Sequence, residues 1–167
     1  MWKQKKVKIL SFSFIILLCI TMLSFYMYIW ISDPLKTDGW SNYNKEHKRI
    51  YLSLINNGFI KMEIEKVTVN SGKQPEQLNL VMSYTGQIVS AGIEENPQAR
   101  IIGIDEGFIH PKLSENELRD LINNNTQQLP LHYGVLIINK ENIESIRIKY
   151  KYFGISKTLN VNLEQGN

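Results

Sequence analysis

Apolar residues fall into two regimes along this chain. From Ile9 to Ile31 there are 23 consecutive residues without a charge. A bilayer core of about 30 Å needs about 20 helical residues at 1.5 Å each, so the run predicts a membrane-spanning helix. Beyond residue 48 the pattern shortens to period two, as in strands with one buried face. In "RIYLSLI" the alternating residues are Ile50, Leu52 and Leu54, and in "FIKMEIE" they are Ile60, Met62 and Ile64. The "NNG" at 56–58 between them predicts a hairpin, because Asn and Gly accept positive φ. Val67 and Val69 then continue on the opposite parity, which predicts a bulge near Lys66 or a strand crossing between sheets. Further strands are predicted at 78–85, 87–93, 99–104 and 133–138. In "IESIRIKYKY" Ile146, Ile148, Tyr150 and Tyr152 alternate with Arg147, Lys149 and Lys151. "FGIS" makes a turn, and Leu159, Val161 and Leu163 return inward.

One helix interrupts the strands. Ser114 and Glu117 form S-x-x-E, a capping box, and Leu113 and Leu118 occupy the positions of a hydrophobic staple. Leu118, Leu121 and Ile122 make a short apolar face, asparagines at 123–125 end the helix, and Pro111 and Pro130 bracket the excursion. The predicted fold class is therefore all-β, a β-sandwich with one short inserted helix, preceded by a single transmembrane helix.

Residues 133–163 resemble the closing strands of a bacterial immunoglobulin-like domain, and "YLSLINNGFIKMEIEKVTV" resembles the first hairpin of such domains. The likeness is one of fold. It extends to small N-terminally anchored membrane proteins of Gram-positive bacteria, and implies an immunoglobulin-like sandwich outside the membrane. Such folds carry many functions.

The flanks of the apolar run bear on its fate. It ends in Tyr26, Tyr28 and Trp30 with no A-x-A-like site before Ser32, which argues against cleavage by signal peptidase. Leu17 and Leu18 precede Cys19, where a lipoprotein would need a small residue. No Gly precedes the run and no Glu lies near its start, so a prepilin leader does not fit either. The expectation is an uncleaved signal anchor. Lys3, Lys5, Lys6 and Lys8 predict a cytoplasmic N-terminus, and the following domain is then extracytoplasmic. The organisation expected is a basic region at 1–8, a membrane anchor at 9–31, a polar tether at 32–48 and one domain at 49–167.

Charge narrows the partners. The chain has 19 Lys+Arg and 16 Asp+Glu, net +3. Four of those lysines precede residue 9, so the remainder is nearly balanced and shows no basic surface for nucleic acid. Cys19 is the only cysteine, so the domain has neither disulfide nor thiolate metal site, which fits a bacterial surface better than an animal one.

Candidate chemistry is sparse. G-x-S-x-G, S-x-x-K and S-D-N are absent. Asp105, Glu106, His110 and His132 would be the material for a metal-assisted hydrolase, but they lack H-x-x-x-H or H-x-H spacing, and Asp105-Glu106-Gly107 reads more simply as a turn. The acidic residues do not alternate as in a calcium loop. Asn124-Asn125-Thr126 has the form of a glycosylation sequon, relevant only in a eukaryotic secretory route. No enzyme, cofactor or metal is expected. Arg147, Lys149, Lys151 and Lys157 form a cationic hairpin face that reads as a solvated surface before it reads as a site for anionic polymers.

The function expected is that of a binding or interaction module at the cell surface, with a protein or cell-wall polymer as partner. An accessory subunit of a membrane complex is the alternative, with the metal-assisted hydrolase behind it. The stretch from Asp105 to Pro130 is much longer than an ordinary strand connection. Its helix is expected to plug one end of the sandwich. The candidate partner contacts are Asp105, Glu106 and His110, then Glu115, Arg119 and Asp120 on the free side of the helix.

Overall fold

The structure, a computed structural model, describes residues 2–43, 46–124 and 129–163. It divides into two compact units, Met1–Ser32 and Asp33–Asn167. The first is one helix, α1 (Trp2–Ile31). Its stretch Phe12–Ile31 is long and apolar enough to cross a bilayer, by length and composition. Inside that stretch Thr21 donates its hydroxyl to the Leu18 carbonyl at 2.8 Å, which satisfies a polar group without help from outside the helix. The helix stops where Pro34 disfavours helical backbone at the residue before it.

The second unit is two antiparallel sheets. One has five strands, β1 (Leu35–Asn42), β2 (Arg49–Asn56), β4 (Gln77–Ser83), β5 (Ala99–Gly103) and β6 (His132–Ile138), in the spatial order β1-β2-β6-β4-β5. The other has three, β3 (Glu63–Val69), β7 (Ser145–Tyr152) and β8 (Ile155–Asn162), in the order β3-β7-β8. A ten-residue helix, α2 (Glu115–Asn124), lies between β5 and β6. Register aligns the apolar rows: Ile50 faces Ile137 and Leu52 faces Val135 in the first sheet. In the second, Val67 faces Ile148 and Ile146 faces Val161. All of these are buried. The expected bulge is present, with the β3 register shifting between Ile64 and Lys66.

Three expectations need correction. The first concerns "NNG". β2 and β3 do not pair; they lie in different sheets, so residues 56–62 cross from one sheet to the other. None of Asn56, Asn57 and Gly58 takes a positive φ. Gly58 answers a different need: a Cβ there would meet the Tyr152 ring at 2.8 Å. Asn56 is buried and organises the crossing. Its Nδ2 donates to the carbonyls of Ile60 (2.8 Å) and Ile109 (2.9 Å), and its Oδ1 accepts from the Gly58 amide (2.8 Å).

The second concerns residues 32–48, read as a tether. Leu35–Asn42 is strand β1, paired with β2 along its length. It is an edge strand, so most of its residues face water and the sequence looks like linker; only Leu35 is fully buried. A bulge between Thr37 and Gly39 uses the one φ of 124° that glycine supplies.

The third concerns 87–93, read as a strand. This segment forms no ladder, and it runs into a short 3₁₀ turn at Ile93–Glu95. Val89 and Ile93 pack on Tyr51, Val81 and Leu136, on the outer face of the five-stranded sheet. β2 is thus buried on both faces. Gly134 permits this cover: a Cβ there would sit 2.5 Å from the Leu52 carbonyl oxygen and 2.6 Å from Val89 Cγ1.

Two substitutions follow from this geometry. Asn56→Ala removes the side-chain donor to the Ile60 carbonyl and the acceptor of the Gly58 amide, and leaves the Ile109 carbonyl with the Met62 amide alone; it should cost about 1–3 kcal/mol of unfolding free energy. Gly134→Ala overpacks a backbone contact and should cost about 1–3 kcal/mol. Denaturant unfolding of the detergent-solubilised chain measures both, and a change within about 0.5 kcal/mol, as for ordinary surface substitutions, would contradict these roles.

Candidate functional site

Residues 109–113, early in the connection between β5 and β6, run over the ends of β2 and β6. Isolated bridge pairing of Met62 with Ile109 fixes their start, and the Lys112 amide donates to the Asn56 carbonyl at 2.8 Å. Between them and the sheet lies a cavity of about 130 Å³, lined by Asp38, Ser53, Asn56, His110, Lys112, His132 and Tyr133 among others. That volume is below the range of about 300–1,000 Å³ usual for drug-sized ligands. It suits a small polar group or one side chain of a partner.

Tyr133 lies at the bottom of this arrangement, 5% exposed. Its hydroxyl makes no hydrogen bond by distance and angle, although the His110 backbone amide lies near enough to favour its ionised form. Burial nevertheless pushes the group up to about 12, so it stays protonated and is a donor in need of an acceptor. The His110 ring stacks over Tyr133 with centroids 6.3 Å apart and planes 26° apart. Loss of solvation lowers the His110 pKa, and the charge of Lys61 adds to this. Loss of solvation also lowers that of His132, against the opposing pull of Asp38. Both rings are therefore neutral near pH 7.

The other expected contact residues are spread out. Asp105 and Glu106 form the turn after β5, with the Gly103 amide donating to Glu106 Oε2 at 3.1 Å. Glu115, Arg119 and Asp120 are exposed on α2. The capping box forms: the Ser114 amide donates to Glu117 Oε2 at 2.8 Å, and the Ser114 hydroxyl donates to the same atom at 2.7 Å. That bonding holds the Glu117 carboxyl below the usual range. Leu113, Leu118 and Leu121 are half-buried; the side chain of Ile122, and Asn125 and Thr126 of the sequon, lie outside the described residues. Of the four residues weighed for metal chemistry, His110 and His132 share the cavity, while Asp105 and Glu106 do not line it. Among the described residues no three of His, Cys, Asp and Glu gather as a metal would need.

Two further charged groups are structural in character. Glu94, on the 3₁₀ turn, accepts hydrogen bonds from Arg49 and Tyr51 and, at 3.4 Å, from Tyr43. Burial works to raise its pKa, but the Tyr51 hydrogen bond, its own backbone amide and Arg49 prevail and lower it. The cationic hairpin is partly neutralised from the neighbouring strand. Glu65, at the bulge, lies 3.9 Å from Lys149 and 3.6 Å from Lys151. The Ser156 hydroxyl, foremost, with the two lysines, holds the Glu65 carboxyl below the ordinary range. Arg147 donates to Asn160 at 3.1 Å, and Lys157 faces Asp33 at 3.9 Å.

Sequence reasoning missed Tyr133, Asn56 and Asp38 as members of this region. Tyr133 reads as one more apolar strand residue, and its meaning comes only from what lies above it.

Comparison with known protein families, with curated proteins and with solved structures finds no match.

The two histidines give the domain a pH signature. Folding depresses their pKa values, so they contribute stability above the unfolded value of about 6.5 that is lost as pH falls through their folded values. The carboxylates Glu65 and Glu94 behave likewise but lose their contribution at lower pH, below about 4.3. The melting temperature should therefore drop first between about pH 7 and pH 5. Replacing His110 and His132 by Gln should flatten that first decline and leave the acid one; thermal melts across pH check it.

Proposed function

We propose that the chain is a single-pass membrane protein whose extracytoplasmic domain is an immunoglobulin-like β-sandwich, serving as an interaction module at a bacterial cell surface. The strand order supports the sandwich. With the edge strand β5 set aside, the orders β1-β2-β6-β4 and β3-β7-β8 match the ABED and CFG strand orders of a constant-type immunoglobulin domain, which supports this reading. The apolar stretch Phe12–Ile31 supports the anchor, and the lysines before it support a cytoplasmic N-terminus.

The observation that carries the binding role is the buried Tyr133 hydroxyl beneath His110 and the residues that follow it. A buried donor with no protein acceptor is destabilising by about 1–3 kcal/mol. Binding sites are commonly carried by long connections on rigid sheets. The cavity offers the hydroxyl, two neutral imidazoles, Lys112 and the Asp38 carboxylate to one polar side chain of a partner, with the exposed residues of α2 and the 105–106 turn as flanking contacts.

The tests separate these claims. A reporter active only outside the cytoplasm, fused after Asn167, should be active, and a mature N-terminus near residue 30 would refute the anchor. Cross-linking in intact membranes followed by gentle solubilisation reads the interaction. Tyr133→Phe should weaken partner recovery without lowering the melting temperature, because it removes only the hydroxyl. Combined Glu115→Ala, Arg119→Ala and Asp120→Ala should weaken it as well. If both leave recovery unchanged while alanines at Arg147, Lys149 and Lys151 abolish it, the cationic hairpin is the site.

A further inference from the structure

Exposed phenylalanines gather at one end of the domain. Phe59, in the crossing between sheets, is 74% exposed. Its amide donates to the Tyr152 hydroxyl at 3.2 Å, which sets it beside the β7–β8 turn. That turn carries Phe153, 40% exposed, its ring in edge contact with Tyr152 at 4.8 Å. Phe153 has a φ of 50°, followed by Gly154 at 77°. Asn or Gly takes such a position with less strain than a bulky side chain. Phe108 is 41% exposed, with the Lys61 ammonium 3.8 Å above its ring, and the bridge between Met62 and Ile109 brings it to the same group of loops.

This is also the end at which the chain arrives from α1. The Asn57 amide donates to the Pro34 carbonyl at 2.8 Å, and Leu35 pairs with Asn56. α1 ends at Ile31. Three residues of extended chain reach at most about 10 Å, so Pro34 cannot lie farther than that from the last residue of the helix. If α1 crosses the bilayer, a link this short keeps Pro34 close to the membrane surface, and Phe59 follows Asn57, the hydrogen-bond partner of Pro34, by two residues.

We propose that Phe59 and Phe153, with Phe108 beside them, form a membrane-contacting surface that dips into the lipid headgroup region, with the exposed Lys36, Lys61 and Lys112 facing anionic headgroups. Apolar rings with flanking cations are the composition of surfaces that bury about 5–10 Å into that boundary. The domain would then lie held against the bilayer through its loops as well as through the anchor. This inference rests on the anchored reading above.

The test uses the full chain in nanodiscs of phosphatidylcholine and phosphatidylglycerol. A spin label on the native Cys19 reports the span. In a Cys19→Ser background, labels at Phe59→Cys and Phe153→Cys report the surface, and Lys140→Cys, on the loop before β7, is the control. Collision with oxygen, which enters lipid, is compared with collision with a water-soluble nickel chelate. The expected result is lipid-like behaviour at 19, an oxygen-to-nickel ratio at 59 and 153 well above that at 140, and water-like behaviour at 140. Lipid-like behaviour at 19 with water-like ratios at 59 and 153 would overturn the surface proposal while leaving the anchor intact. A water-like Cys19 would overturn both.

Discussion

Asn56 is the residue on which the arrangement of the domain turns. It ends β2 in the five-stranded sheet, and its side chain bonds forward to Gly58 and Ile60 and across to Ile109. Its own carbonyl accepts from Lys112. One buried carboxamide therefore ties together the end of the first sheet, the crossing to the second and the start of the long connection over the cavity. A carboxamide suits this role because it presents two donors and an acceptor without charge. A carboxylate in its place would face two carbonyl oxygens.

Cover on the sheets limits where anything else can bind. The outer face of the five-stranded sheet near β2 is closed by Val89 and Ile93, and Glu94 closes the edge of that cover through Arg49 and Tyr51. Burial opposes the Glu94 charge and its donors restore it, the usual balance for a carboxylate that holds one segment onto another. On the second sheet, Glu65 draws Lys149 and Lys151 toward itself and weakens the case for a cationic binding face.

What was legible in the sequence was local. The alternation of β7 survives intact, with burial at every second residue. The parity change at Glu65–Lys66 appears as a bulge, and the capping box forms as spaced. What failed was long-range. "NNG" carries the same residue types whether the chain reverses within a sheet or crosses to another, and only the partners of Asn56 and the ring of Tyr152 distinguish the two. β1 looked like a tether because an edge strand needs few apolar residues. Residues 87–93 looked like a strand because a segment laid on a sheet needs buried apolar residues just as a strand does. Tyr133 had no local signal at all; its significance depends on a connection that passes over it from a stretch more than twenty residues earlier in the chain.

The cavity and the aromatic end are mechanically one body. Nδ2 of Asn56 holds Ile60, next to Phe59, and also Ile109, between Phe108 and His110. The Lys112 amide bonds to the same residue's carbonyl. A displacement of the 57–61 loop is therefore passed to the rim of the cavity through hydrogen bonds of 2.8–2.9 Å, with no flexible segment between. If the phenylalanines rest on a bilayer, the orientation of the domain fixes the direction in which the cavity opens.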